Sequence, residues 1–214
     1  MSEVVSQGEG NARVIETRYD DPLNLVWLHC AARLGMTVVR SREVFAAWDG
    51  QGTLTLADQR DFDADDCLAQ MIFHEICHGL VAGPDAWGLP DWGLYNRDNR
   101  DIDSEYATHR LQAALAGRYG LRVFMGPTTE HRPYYDSLPD DPLATNEDLE
   151  QEASVAAAQA GFELATHGAR GVPVKEALEA TAAIARVMGG SAAVAGSLWS
   201  GAGGESAMPS QDGE

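Results

Sequence analysis

Hydrophobic positions recur along the chain at two periods, and the change from one to the other marks out the elements. Leu23, Val26, Trp27, Cys30 and Leu34 fall at helical spacing behind Asp20-Asp21-Pro22, a helix-start signal, and Gly35 closes the run. Short stretches at 37–40, 44–48 and 53–56 read as strands, the last two joined across the turn-forming Asp49-Gly50-Gln51-Gly52. The helical period returns over 64–81, where Leu68, Met71, Ile72, Ile76 and Leu80 form a core-facing stripe. The acidic run from Asp61 to Asp66 suits the first turn of that helix, and Gly83-Pro84 stops it. Residues 83–103 make a long loop rich in Gly, Pro, Trp, Asp and Asn. A helix over 102–119 closed by Gly120, a short strand over 121–125, an irregular stretch to 145 and helices over 146–167 and 173–188 follow. The pattern predicts an α+β domain over 13–188, with a small antiparallel sheet packed on the 64–81 helix and a helical C-terminal half. Residues 1–12 read as a flexible arm, and the Gly-, Ala- and Ser-rich 189–214 as a flexible low-complexity tail.

The chemistry of the chain centres on the 64–81 helix, which contains His74-Glu75-Ile76-Cys77-His78. Histidines four apart lie on one face, a turn from each other, so both imidazoles can reach one metal ion. Glu75 sits beside that face as the candidate catalytic group. Two histidines leave a ligand to be found. Glu105 on the next helix is the leading third ligand. His109 one turn later is an alternative ligand or a supporting partner, as is Asp101 one turn before, with Asp98 and Asp103 weaker choices. Trp87, Trp92 and Tyr95 lie in the loop between the two helices, where they either form a lid or substrate wall or plug the side of the domain. His131, in a loop rich in Pro and Tyr, is a further residue able to line a cleft.

Charge and cysteine content narrow the function. A net charge of −18 disfavours a nucleic-acid partner. No apolar run is long enough to span a membrane, and the N-terminus has no signal-peptide pattern. Cys30, Cys67 and Cys77 form no CxxC pair, which fits reduced thiols in a cytoplasm, with Cys77 a small buried side chain. A purely structural zinc site is disfavoured by the single nearby thiol and by the presence of Glu75.

The run from His74 to Gly83 (HEICHGLVAG) resembles the HEIxHxxxAG stretch of the elongation factor P hydroxylases. Shorter likenesses accompany it: Leu54-Thr55-Leu56-Ala57-Asp58, Asp91-Trp92-Gly93-Leu94-Tyr95 with Asp98 and Arg100, Glu105 with Gln112-Ala113, and Gly171-Val172-Pro173. The resemblance implies a metal site of His74, His78 and Glu105, iron(II) as the metal, and hydroxylation of a modified lysine on elongation factor P. Two departures lie where a substrate would bind: the family's Trp-Cys after the second histidine is Gly79-Leu80 here, and its basic segment is replaced by residues 84–90. The same ligands also suit zinc. HExxH with a third Glu resembles the gluzincin peptidases, in which Glu75 would act as general base of a hydrolase on a zincin-like fold.

Overall fold

The computed structural model describes residues 17, 19–95, 101–126, 131–145 and 152–203. Helix α1 (Pro22–Arg33) starts where Asp21 Oδ1 accepts the Leu23 and Asn24 N–H groups at 3.0 and 3.1 Å. Strands β1 (Thr37–Ser41), β2 (Ala46–Trp48) and β3 (Thr53–Ala57) follow, then α2 (Leu68–Ala82). Two 3-10 turns, Pro84–Gly88 and Pro90–Gly93, lead on to α3 (Ile102–Gly117), α4 (Arg132–Ser137), α5 (Glu152–His167) and α6 (Gly171–Gly189).

Helix α2 is the axis of the fold. Every residue from Leu68 to Leu80 is buried, because α1, α3 and α5 all pack on it. The Trp27 ring of α1 meets Phe73 of α2 at 5.0 Å, and its indole N–H donates to Thr181 of α6 at 3.0 Å. An element covered on all sides holds polar side chains only where their hydrogen-bonding needs are met, so the histidines in α2 require partners.

The sheet differs from the expected antiparallel one. Its order is β1-β3-β2: β2 pairs antiparallel with β3, but β1 pairs parallel with β3. The 49–52 turn makes β2 and β3 a hairpin as read. The 42–45 connection instead carries the chain past the place that β3 later fills, so β1 and β2 become opposite edges. Edge strand β2 reaches α2 through the Pro90–Gly93 turn, with the Trp48 ring stacked on Trp92 at 4.9 Å.

Three further expectations are corrected. Helix α2 begins at Leu68 rather than near 64, since the Gln70 side chain turns back to accept the Cys67 N–H at 2.6 Å. The aspartates before it therefore lie in turns. Residues 121–125 form turns instead of a strand, and the carbonyls of Phe124, Met125 and Gly126 are taken by the amides of Gln70 and Gln112. The stretch expected as a flexible tail is packed as far as Gly203: Trp199 lies 4.3 Å from Phe124, Ala202 is buried, and the Gly203 N–H donates to Gly120 O. The 1–12 arm, residues 146–151, residues 204–214 and Asp98 lie outside the described residues. No helix among the described residues is long and apolar enough to cross a membrane.

Candidate metal centre

Two helices each contribute one polar stripe to a shared buried interface. From α2 come His74 and His78; from α3 come Glu105, Thr108, His109 and Gln112, at spacings of three, four and seven that place them on one face. Thr108, His109 and Gln112 are fully buried, and His74 and His78 nearly so.

The hydrogen bonds fix which ring nitrogens face inward. Gln112 Nε2 donates to the Met125 carbonyl at 2.7 Å, which turns Gln112 Oε1 toward His74 Nδ1 at 2.9 Å. That oxygen can only accept, so His74 carries its proton on Nδ1 and presents a lone pair on Nε2. The same logic holds for His78. The Thr108 hydroxyl donates to Ser104 O at 2.9 Å and accepts from His78 Nδ1 at 3.1 Å. The two Nε2 atoms then face each other at 3.1 Å, with Glu105 Oε1 3.3 Å from His74 Nε2 and Oε2 3.2 Å from His78 Nε2.

Acceptors held this close repel one another unless a positive charge lies among them. One proton can serve. Burial works against it, yet the hydrogen bond and charge of Glu105 push His74 up to about 9. Burial would likewise raise Glu105, but the close imidazoles of His109, His74 and His78 hold its carboxyl well below the usual carboxylate range. A divalent cation fits better. Donor atoms on one ion with bonds of about 2.0–2.2 Å stand about 3 Å apart at tetrahedral or octahedral angles, which is the spacing found. The residues present therefore fit a metal ion by donor type, tautomer and spacing.

Two further groups adjoin this set. Ligand atoms of His74, Glu75 and His78 lie within 4.8 Å of one another, as do those of His74, Glu105 and His109. Glu75 accepts the Trp92 indole N–H at 3.3 Å. His109 Nε2 is 3.1 Å from Glu105 Oε1 but out of hydrogen-bonding alignment, and among the described residues neither of its ring nitrogens has a hydrogen-bond partner. Burial pulls His109 down to about 4, which keeps the ring neutral.

Asp101 does not join the cluster, because its Oδ2 accepts the Tyr95 N–H at 2.7 Å. Asp103 is exposed. Of the three aromatic residues expected to form a substrate wall, Trp92 alone lines the cavity beside the cluster. Trp87 turns away to donate to Gly79 O at 2.8 Å under the guanidinium of Arg170, and Tyr95 is exposed. Trp92 is held by an uncommon backbone: Asp91 and Trp92 both have positive φ, 47° and 59°. Asp91 Oδ1 anchors the turn by accepting the Trp48 N–H at 3.0 Å. Gly79 makes room for it, since a Cβ there would stand 2.8 Å from the Trp92 ring and 2.9 Å from Trp87.

The cavity holds about 530 Å³ and opens onto His74, Glu75, His78 and Glu105. Phe45, Met71, Trp92 and Leu94 give it apolar walls, His131 also lines it, and Asp61, Asp63, Asp66 and Asp91 surround it with negative charge. In the sequence Asp61, Asp63 and Asp66 read only as a helix start, with no sign of their place at a pocket. Sequence reasoning also gave no role to Thr108, although the Glu105, Thr108, His109, Gln112 spacing is a legible signal of a polar helix face. The three thiols stand apart from this chemistry: burial pushes Cys30 up to about 12, Cys67 up to about 11 and Cys77 well above the ordinary thiol value. Comparison with protein-family models, with curated proteins and with solved structures gives no significant match.

Proposed function

We propose that this chain is a metal-dependent enzyme holding one divalent ion on His74, His78 and Glu105, and that it acts as an iron-dependent protein hydroxylase of the elongation factor P hydroxylase kind. One observation carries the reading: two imidazole lone pairs and a carboxylate converge within 3.3 Å, with both rings locked by Thr108 and Gln112. Two histidines and one carboxylate are the donor set of non-haem iron(II) oxygenases. Iron(II) bound there would supply oxygen-dependent C–H hydroxylation. A HExxH helix beside a small sheet supports a zincin-like fold.

The chain's own residues divide the remaining work. Thr108 and Gln112 keep the Nε2 atoms turned inward. Glu75 faces the cavity under the Trp92 indole, placed to hold or pass a proton at its carboxylate. Apolar walls under an acidic rim suit a group with an aliphatic stem and a cationic tip. A lysine side chain, or an amine-bearing modification of one, has that form. This supports a protein substrate, elongation factor P in the resemblance, and no nucleic acid.

A zinc hydrolase is the second reading, favoured by the position of Glu75 within 4.8 Å of both histidine ligand atoms, where it can act as general base toward a water in the cavity. Incubating the iron-loaded protein with modified elongation factor P under oxygen, with a two-electron reductant such as ascorbate added so that the second oxygen atom leaves as water, separates the two. A gain of one oxygen atom, read by mass spectrometry, is expected. Cleavage of a generic unfolded protein by the zinc form, abolished in Glu75→Gln while the ion is retained, would replace the hydroxylase by the hydrolase. Neither activity, with either metal, would overturn the enzyme reading for these substrates.

A further inference from the structure

The metal centre proposed above leaves one buried group without employment. His109 is wholly inaccessible, and neither ring nitrogen finds a hydrogen-bond partner among the described residues. A neutral imidazole has one N–H and one lone pair, and burying either without a partner opposes folding. The uncompensated groups of a native interior call for an explanation.

Its neighbours supply one. His109 follows Glu105 by one turn on α3, as His78 follows His74 on α2, so each helix presents an i, i+4 pair to the same space. His109 Nε2 lies 3.1 Å from Glu105 Oε1, the same separation that parts the two α2 nitrogens. Its misalignment with that oxygen means that it is not serving as a simple hydrogen-bond donor to the carboxylate. His74, Glu105 and His109 form a ligand group of their own, sharing His74 with the HExxH set.

We propose that His109 is a fourth protein ligand, so that the ion is held by three imidazoles and one carboxylate; the proposal rests on the metal centre described above. Glu105 and His109 then act together, and neither replaces the other. The consequence is selectivity. Zinc, which favours four ligands in structural sites, would be closed by this set, whereas a six-coordinate ion such as iron(II) or manganese(II) keeps two positions for substrate and co-reactant. The fourth ligand thereby favours the oxygen-using reading over the hydrolytic one.

The test uses cobalt(II) as the probe on the full chain, comparing wild type with His109→Phe. One cobalt per chain is expected in wild type. In His109→Phe the affinity should fall by about tenfold or more, and the visible absorption bands should shift with the changed ligand set. Unchanged affinity and spectrum in a folded His109→Phe protein would overturn the fourth ligand and leave the three-ligand centre standing. No cobalt binding by wild type would overturn the centre itself, and this inference with it. A measurement on wild type alone guards against misfolding of the variant. Pulsed electron paramagnetic resonance of the copper(II)-loaded chain counts coordinated imidazoles: three support the proposal, and two refute it.

Discussion

His74 is joined to Gln112 by a 2.9 Å hydrogen bond at Nδ1, and Gln112 is itself held by a 2.7 Å bond from its amide to the Met125 carbonyl. This two-step clamp decides the tautomer of the histidine and turns its Nε2 lone pair toward His78 and Glu105. Partners of this kind commonly contribute tenfold to a hundredfold in metal affinity. Gln112→Leu keeps the volume and removes the clamp, so the iron(II) or zinc dissociation constant should rise by about tenfold to a hundredfold. A competition titration against a chromogenic chelator reads this directly, and wild-type affinity in the variant would show that the ring needs no such support.

Metal binding should depend on pH with a definite sign. Without an ion, His74 holds its proton up to about pH 9 through Glu105, despite burial. Binding must expel that proton, so apparent affinity should rise by about tenfold per pH unit below about 9 and flatten above it. Titrations between pH 6 and 9 test this, and a flat profile would mean that no cluster proton competes with the ion.

The two buried histidines should also bend the stability of the metal-free protein in opposite directions. His74 is raised in the fold, so its contribution is full below the unfolded value of 6.5 and is lost as pH rises toward about 9. His109 is lowered, so the unfolded chain gains a proton first as pH falls from 6.5 toward about 4, and stability drops over that range. Urea unfolding with chelator present, at several pH values, should show the acid-side loss diminished in His109→Phe. An identical acid limb in the variant would contradict this assignment.

Gly79 is expected to tolerate no side chain. A Cβ would sit 2.8 and 2.9 Å from the Trp92 and Trp87 rings, and both rings are pinned by hydrogen bonds to Glu75 and to Gly79 itself. Gly79→Ala should therefore lower stability by about 1–3 kcal/mol, the usual cost of overpacking. Thermal unfolding measures it, and a midpoint equal to wild type would show that the tryptophan turn yields freely.

The acidic rim of the cavity should act on substrate more than on metal. Asp61 and Asp63 are exposed, so the double change to Asn should leave metal affinity intact. It should raise KM for a lysine-bearing protein substrate by a few-fold at low salt. The difference should shrink as salt screens the charges. A KM that is unmoved at low ionic strength would remove the case for a cationic substrate.

How far the sequence revealed all this depended on the range of the signal. His74 and His78 were legible because a helical turn brings i and i+4 together by backbone geometry alone, whereas Glu105 was one candidate among several on the next helix, and its place beside them is set by the packing of α3 on α2. The parallel pairing of β1 with β3 was not, because register between non-adjacent strands is set by tertiary packing. The role of Asp61, Asp63 and Asp66 was hidden by a local rule, acidic residues before a helix, that Gln70 overrode by starting α2 at Leu68. Trp87 was expected at the cavity for its place in the loop, yet the left-handed backbone of Asp91 and Trp92 sends only Trp92 there. Packing at 192–203 was concealed by a composition that reads as a linker, although Trp199 was the residue able to anchor it.

Metal analysis bears most directly on the centre that unites His74, His78 and Glu105. The protein, purified without added metal and measured by inductively coupled plasma mass spectrometry, should carry close to one equivalent of a single transition metal, with iron predominating. His74→Ala and Glu105→Ala, if folded by circular dichroism, should carry almost none. Wild-type protein that neither carries nor takes up a stoichiometric ion, or a folded His74→Ala protein that retains it, would contradict the metal centre.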